Sequence, residues 1–440
     1  MRGTPASGWR TARLALGVAL AAALTVGPAR TAVAGEFRLL LEGEAGLRDD
    51  GAYGAQDTQT PALRRDESLA RAGLDLQLSY ALQRLNLALA YSPSYERSLK
   101  DPNVAGTTHR LDFGLVADLA RRLRLDVRER LLKTPNLDLY APVTAPETNA
   151  VTRRGDQLSH SLDVVFNQDF SRRASLLLGL THSLRRFEAS GLTDSESLGA
   201  RLGAGFELAR GRRLEAAAGL ARYDYRDRGD ADVRTLGLAY AFDVGRSSHL
   251  RLEGGVYSVD STLRSQVVEP DGIRETVENG SDQGWRGSAQ LAQERQRFRW
   301  ALGLSHDISP GAGLGRAVVA DNAFLGVSVP LTRRLELGLD GSGSRQSDVT
   351  GGAAGDAGSP ELTEFAAGTA RLAWNLAPAF RLDGGYSRVW QRSHVEPFAN
   401  LSYARYFLNL AVRIFSAGET PKQPESLGRP TPDDEEPHDH

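Results

Sequence analysis

Apolar and polar residues alternate along most of this chain with a period of two. In the segment 70–80, Ala, Leu and Tyr occupy the even positions, and Arg71, Gly73, Asp75, Gln77 and Ser79 occupy the odd ones. The segment 198–208 repeats this pattern, with Leu, Ala and Phe at its even positions. Because successive side chains of a β-strand point to opposite faces, each segment predicts a strand with one apolar and one polar face.

The alternation recurs along the whole chain and predicts an all-β fold. About 380 residues divided among eighteen strands leave roughly 21 for each strand and its connection, enough for a tilted strand to cross a bilayer. The predicted strands are centred on Leu41, Leu76, Leu87, Leu115, Val127, Val164, Leu178, Ala204, Ala218, Leu238, Gly254, Ala289, Leu302, Val327, Leu337, Ala370, Gly384 and Leu408.

The connections between these strands alternate in length. Short turns follow the even-numbered strands and longer polar loops follow the odd-numbered ones. Bacterial outer-membrane barrels pair short periplasmic turns with long extracellular loops and have an even number of strands. The pattern therefore predicts a transmembrane antiparallel β-barrel of about 18 strands, with both termini in the periplasm.

A β-solenoid or a soluble propeller would also contain many alternating strands. Here, however, aromatic residues of the apolar face gather near the strand ends, as in the interfacial girdles of membrane barrels. Phe206, Trp374 and Phe380 lie near the short turns, and Trp285 and Trp390 lie near the long loops.

The two ends of the chain differ from its middle. Arg2, Arg10 and Arg13 precede an apolar run at 14–26 and a small-residue site at 32–34, which predicts a signal peptide over residues 1–34. Residues 35–418 form the predicted barrel, and the Pro-rich, acidic residues 419–440 predict a disordered periplasmic tail. Cysteine is absent, so a small disulfide scaffold is excluded.

The net charge of −2 is unevenly distributed. The signal segment contains four basic residues and no acids, so residues 35–440 carry −6. The tail has seven acids and two bases and accounts for −5 of this. The barrel itself is almost neutral.

Charged residues of both signs lie on the polar face and predict a wet lumen. Barrels of sixteen to eighteen strands leave an aqueous channel unless they are plugged, and charges on a pore wall select among ions. Alternatively, cross-strand pairs simply satisfy a polar wall. The candidate pore-lining residues are Arg71, Asp75, Arg110, Asp112, Arg124, Asp126, Arg128, Arg201, Arg251, Glu253, Arg299, Asp340, Arg381 and Asp383. Few aromatics share this face, so an aromatic path for neutral sugars is not expected.

The short turns are rich in arginine, whereas the long loops are acidic on balance. A basic periplasmic mouth would concentrate an anionic polymer or bind an acidic partner, since a surface of one sign raises the local concentration of counter-ions. Alternatively, these side chains contact lipid phosphates of the inner leaflet. The candidate basic rim comprises Arg121, Arg122, Arg172, Arg173, Arg212, Arg213, Arg295, Arg297, Arg333 and Arg334.

The longest predicted loop spans 133–156 and joins strands five and six. It occupies the position of the constriction loop in general porins, so it is a candidate for folding into the pore. Its three prolines would equally hold it upright over the mouth. Its candidate charged residues are Asp138, Glu147, Arg153 and Arg154.

Catalysis and metal binding find little support. A barrel phospholipase would place Ser two residues after its His, but Leu162, Leu184 and Ile308 stand two residues after the histidines at 160, 182 and 306. The chain is therefore predicted not to be an enzyme. No cofactor, metal site or nucleic-acid partner is assigned.

The last predicted strand, 406–415, ends at Phe415 and resembles the terminal insertion signal of outer-membrane barrels. With the signal peptide, the eighteen segments and the one-sided turns, residues 35–418 resemble the outer-membrane β-barrel porin superfamily. The pattern is most similar to β-barrel porins associated with exopolysaccharide export. The 25 residues after Phe415 depart from it, because the insertion signal usually ends the chain.

These observations lead to an outer-membrane channel as the expected function. The resemblance implies translocation of a polar or anionic polymer, an exopolysaccharide, received from a periplasmic polysaccharide-export protein. One alternative is a general diffusion porin for small hydrophilic solutes. A second is a non-conducting surface barrel that binds a partner or serves structure. Outer-membrane lipids are expected partners in each case.

Overall fold

A computed structural model describes residues 36–52, 67–100, 105–136, 154–188, 192–245, 247–269, 272–295, 297–311, 314–349, 361–393 and 401–417. The predicted signal peptide and acidic tail lie outside these residues. No helix in the described part of the chain is long and apolar enough to cross a membrane.

The described residues form eighteen antiparallel strands, as the period-two pattern predicts, and each predicted centre lies within its strand. The strands are β1 Glu36–Ala52, β2 Glu67–Leu82, β3 Leu85–Ser98, β4 Ala105–Ala120, β5 Leu123–Asn136, β6 Arg154–Asp169, β7 Ala174–Phe187, β8 Ser195–Ala209, β9 Arg212–Tyr225, β10 Gly229–Asp243, β11 Ser248–Glu269, β12 Gly272–Arg295, β13 Phe298–Ser309, β14 Val318–Pro330, β15 Leu335–Asp348, β16 Glu361–Ala377, β17 Phe380–Ser393 and β18 Leu401–Ala417.

Each strand pairs with its neighbours in sequence, and β18 pairs with β1, from Leu39–Ala417 to Ala52–Tyr403. This last pairing closes the sheet, so no strand is left as an edge. The predicted all-β antiparallel barrel of eighteen strands is therefore confirmed. The periplasmic location of its termini stays a prediction.

The connections after even-numbered strands are two to four residues long, as predicted. They lie together at one end of the barrel, which we call the turn end; the opposite end is the loop end. Two connections at the loop end are shorter than expected. β9 and β10 are joined by residues 226–228, where Asp227 has a positive φ of 62°, and β11 and β12 are joined by residues 270–271.

The β11–β12 connection is short because these strands continue past their neighbours. β10 pairs with β11 only as far as Leu263, and β13 pairs with β12 only from Gly287 onward. Beyond these points, β11 and β12 pair with each other as far as Glu269 and Gly272. A segment that the sequence suggests is a polar loop is therefore a long hairpin.

The two faces of the closed sheet differ as the alternation predicts. Leu198, Leu220 and Leu236 have exposed fractions of 64%, 62% and 61% and lie on the outer face. The girdle residues Trp285 and Trp374 are also exposed there. The inner face carries the charged residues described below.

We expect arginine on the outer face to destabilise the barrel according to its depth. Leu202 lies midway along the apolar band of β8, whereas Leu198 is the register partner of Arg222 near the loop end. Leu202→Arg should lower the free energy of unfolding in lipid vesicles by about 2–4 kcal/mol, and Leu198→Arg by about 0–1 kcal/mol. Denaturant titration followed by tryptophan fluorescence measures both, and equal losses would contradict the assignment of the outer face.

Candidate functional site

The fourteen predicted pore-lining residues share one face of the closed sheet, opposite the exposed leucines, which we take as the inner face; that they line a pore stays a prediction. The strand register links them: for example, Asp112 is the partner of Arg130 across β4 and β5, and Asp340 is the partner of Gly326 across β14 and β15. Residues that are paired in register share a face, so the inner face can be followed from strand to strand.

Most of these charges have a partner on the wall itself. Asp112 accepts hydrogen bonds from Arg110 at 2.6 Å and from Arg130 at 2.9 Å. Asp75 accepts a hydrogen bond from Ser92 at 2.8 Å. The remaining ion pairs of this kind are Arg71–Glu96, Arg128–Asp126, Arg299–Glu336 and Arg381–Asp383. Arg130–Asp112, Arg71–Glu96 and Arg299–Glu336 join different strands, whereas the other ion pairs join residues two apart in one strand.

The longest ion-pair chain runs along the wall from β9 to β13. Its members, in order of contact, are Arg213, Glu215, Arg251, Glu253, Arg286 and Asp307. Successive partners approach to 2.9, 2.8, 4.0, 3.2 and 2.7 Å. We call these six residues the charge ladder.

The charge ladder passes over β10 because that strand has alanine on its inner face there. Ala239 is the register partner of both Glu215 and Glu253, and Ala241 is the partner of Arg213 and Arg251. These small side chains let Glu215 of β9 and Arg251 of β11 meet above β10. Alternating signs then leave this part of the wall nearly neutral.

Three of the pore-lining candidates stand apart from such pairs. Among the described residues, Arg124, Arg201 and Asp340 form no ion pair or hydrogen bond. Arg124 lies near the turn end of β5, whereas Arg201 and Asp340 lie in the middle of β8 and β15. Asp340 interacts electrostatically with Arg371, so Arg124 and Arg201 are the candidates that can meet a passing ion.

The predicted basic rim is exposed at the turn end, with one exception. Nine of its ten arginines are exposed, and none of these nine forms an ion pair within the described residues. Arg213 differs, because it is half-buried on the inner face and contacts Glu215 and Ser175. Arg213 therefore belongs to the charge ladder, not to the rim.

The predicted constriction loop lies mostly outside the described residues. Asp138, Glu147 and Arg153 fall in the segment that the structure does not describe. Arg154 does not lie in a loop: it begins β6 and pairs with Asn136 of β5. Infolding of this loop stays a prediction.

A different loop folds inward. Residues 310–317 join β13 to β14, and of these Gly311, Leu314, Gly315 and Ala317 are buried. A Cβ on Gly315 would lie 2.9 Å from the hydroxyl oxygen of Thr193, in the connection between β7 and β8. Because β8 and β13 are five strands apart, we conclude that this β13–β14 loop leans across the inside of the barrel.

The inner face provides an apolar platform for this loop. Tyr225, Val233 and Val259, at the loop ends of β9, β10 and β11, form one buried cluster with Ala317 and Val319. Their exposed fractions are 8% or less. Arg316 of the loop donates a hydrogen bond to Asp348 at the end of β15, which anchors the other side.

One feature of the sequence indicates this inward loop, although the charged residues that dominate the inner face draw attention away from it. The inner-face positions at the loop ends of β9–β11 are Tyr, Val and Ala where other strands carry Arg or Asp. Apolar side chains that face a water-filled lumen are stabilised when another segment of the chain packs over them. Gly311 and Gly315, with φ of 52° and 71°, let the backbone turn back onto them.

Three histidines of the outer face pair with acids: His160 with Glu129 at 3.1 Å, His182 with Glu196 at 3.0 Å and His306 with Asp321 at 2.6 Å. His109 instead contacts the hydroxyl of Tyr91 at 2.9 Å. No group of three or more potential ligands in the described residues is placed to hold a metal ion.

We expect the charge ladder to stabilise the barrel through its most enclosed carboxylate. Glu253→Gln leaves Arg251 and Arg286 without their shared partner and should lower the free energy of unfolding by about 1–3 kcal/mol. Asp126→Asn breaks a pair whose arginine is 61% exposed and should cost less than about 1 kcal/mol. Urea titration in detergent micelles compares the two variants, and a loss for Glu253→Gln no larger than that for Asp126→Asn would rule out a stabilising ladder.

No protein-family model and no curated protein sequence matches this chain. Several solved structures are similar to it at low sequence identity. OccK2 of Pseudomonas aeruginosa, solved in complex with glucuronate, is 10% identical over 87% of this chain and 99% of its own, with a TM-score of 0.40. OccAB3 of Acinetobacter baumannii is 10% identical over 87% of this chain and 100% of its own, with a TM-score of 0.41. The siderophore receptor PiuA of Acinetobacter baumannii is 10% identical over 87% and 82%, with a TM-score of 0.43. At this level of similarity, the functions of these solved proteins do not carry over to this chain.

Proposed function

We propose that this protein is an outer-membrane channel that passes small hydrophilic solutes. The closed sheet satisfies its own backbone hydrogen bonds, and its outer face is a band of exposed leucines. These are the two properties that a strand-built protein needs in lipid. The inner face is charged and polar, as in barrels with an aqueous channel.

The observation that carries this proposal is the β13–β14 loop on the inner face. The loop occupies space at the loop end of the lumen, between the platform around Tyr225 and the contact with Thr193. A lumen narrowed by a packed segment suits small solutes better than a continuous polymer. Selection among solutes at this narrow level would depend mainly on their size, because the charge ladder leaves one wall of the lumen nearly neutral.

Arg124 and Arg201 add a weaker preference for anions. Neither has a partner within the described residues, so each guanidinium can bind a carboxylate or phosphate in transit. Asp340 on β15 is the acid that lies among these candidates, and it interacts electrostatically with Arg371 of β16. Asp118 is the register partner of Arg124, so Arg201 is the main site of this preference.

Export of an anionic polymer is the second candidate function. The nine exposed arginines at the turn end support it, since they would collect a polyanion on the side where such a polymer enters. If this candidate is right, a polyanion added to the turn side of a planar bilayer should block the current reversibly. A current that polyanions do not block from either side would contradict polymer export.

We expect displacement of the β13–β14 loop to widen the channel. In Gly315→Val, the new side chain would lie within 3.2 Å of Thr193, and valine at a φ of 71° is strained. The loop should therefore move away from Thr193. Replacing residues 311–317 by two glycines should widen the lumen further. Single-channel conductance in planar bilayers should rise in both variants.

Gly245→Val is the matched control. Gly245 has a similar φ of 76°, but it lies in a turn-end connection where an added Cβ meets nothing within 4 Å. This variant should keep the conductance of the unmodified protein. If the loop variants conduct no more than the control does, the loop is not the constriction.

A further inference from the structure

The turn end carries an excess of positive charge that the described residues do not neutralise. Besides the nine exposed rim arginines, Arg84 and Arg210 are exposed in the same set of turns. None of these eleven side chains forms an ion pair among the described residues. By contrast, the inner wall pairs most of its arginines, several of them within 3 Å of a carboxylate.

The described acids of the turn end are too few to balance this charge. Asp243 is engaged by the imidazole of His249. Asp118, Asp169 and Glu294 are the other exposed acids near these turns, against eleven exposed arginines. Clustered guanidinium groups repel one another, so the rim favours binding of an anion that spans several turns.

The chain itself supplies such an anion at this end. β18 runs from the loop end to the turn end, where Ala417 pairs with Leu39 of β1 and the backbone N–H of Arg413 donates to the carbonyl of Ala379. Residues 419–440 follow directly. They contain Glu419, Glu425, Asp433, Asp434, Glu435, Glu436 and Asp439 against Lys422 and Arg429.

The tail is long enough to reach every part of the rim. Its 22 residues span up to about 70 Å when extended. Eighteen strands spaced roughly 4.8 Å apart and tilted by 35–45° form a barrel about 35 Å across. Tail acids and rim arginines therefore share one end of the molecule and lie within reach of one another.

We propose that the acidic tail, residues 419–440, binds the arginine rim of its own barrel. The contact is a set of exposed ion pairs between tail carboxylates and the guanidinium groups of the short turns. Anionic solutes, polymers or partner proteins must then displace the tail to reach the rim. This inference does not depend on the lumen conducting, because it concerns binding at the turn end alone.

A labelled peptide tests the contact directly. The probe is a fluorescent synthetic peptide with the sequence of residues 419–440, titrated by anisotropy in zwitterionic nanodiscs. It is added to the full chain and to a chain ending at Ala417. We expect binding to the shortened chain and little to the full chain, because a tethered tail competes at an effective concentration in the millimolar range. Raising the salt concentration should weaken the binding.

Two sets of variants of the shortened chain locate the site. Neutralising four exposed rim arginines should weaken peptide binding by roughly thirtyfold, the summed effect of four exposed ion pairs. The rim set is Arg172→Gln, Arg173→Gln, Arg333→Gln and Arg334→Gln. The matched loop-end set, which should leave binding unchanged, is Arg97→Gln, Arg226→Gln, Arg228→Gln and Arg388→Gln.

A modified peptide makes the test independent of barrel folding. Amides in place of the acids at 433–436 should abolish binding to the unmodified shortened chain. Equal peptide binding by the full and shortened chains, or by the rim and loop-end sets, overturns the proposal. Loss of binding when phosphatidylglycerol replaces phosphatidylcholine also overturns it, since the anionic headgroups of that lipid then occupy the rim.

Discussion

Pairing of β18 with β1 is the interaction on which the other features of this barrel depend. An open sheet of eighteen strands would leave two rows of backbone N–H and C=O groups without partners, and each such group costs several kcal/mol in lipid. Closure also fixes the register around the ring, because a slip of one residue in any strand would exchange its inner and outer faces. The leucine-rich face and the charged face then stay on opposite sides of the sheet all the way around the ring.

The inner wall that closure creates is stabilised locally. Most of the candidate lumen charges contact a partner of the other sign in the same strand or in a nearby one. The charge ladder continues over β10 because Ala239 and Ala241 leave room above that strand. The loop end is organised differently. There the wall turns apolar around Tyr225 and Val259, and the β13–β14 loop covers it. A wall with paired charges at one level and a packed loop at another is consistent with a narrow aqueous channel.

Much of this fold follows from the sequence because its main determinant is local. The period of two identifies each strand and assigns each side chain to a face, so the fourteen candidate pore-lining residues could be assigned to one common face before any contact was known. Contacts between distant strands are not encoded in that period. Arg213 stands beside Arg212 in sequence and resembles a rim residue, yet the strand alternation and Glu215 place it on the inner wall. The contact of Gly315 with Thr193 joins connections six strands apart, and only the closed barrel brings them together.

The most direct test of the proposed channel is the permeability of the unmodified protein to solutes of graded size. Liposomes that contain the purified barrel are loaded with an impermeant polymer, and their swelling is followed in solutions of small sugars, sugar acids and larger oligosaccharides. The proposal predicts rapid swelling with monosaccharides, somewhat faster entry of the sugar acids, and a steep fall for the oligosaccharides. Swelling no faster than that of protein-free liposomes with any solute would contradict it.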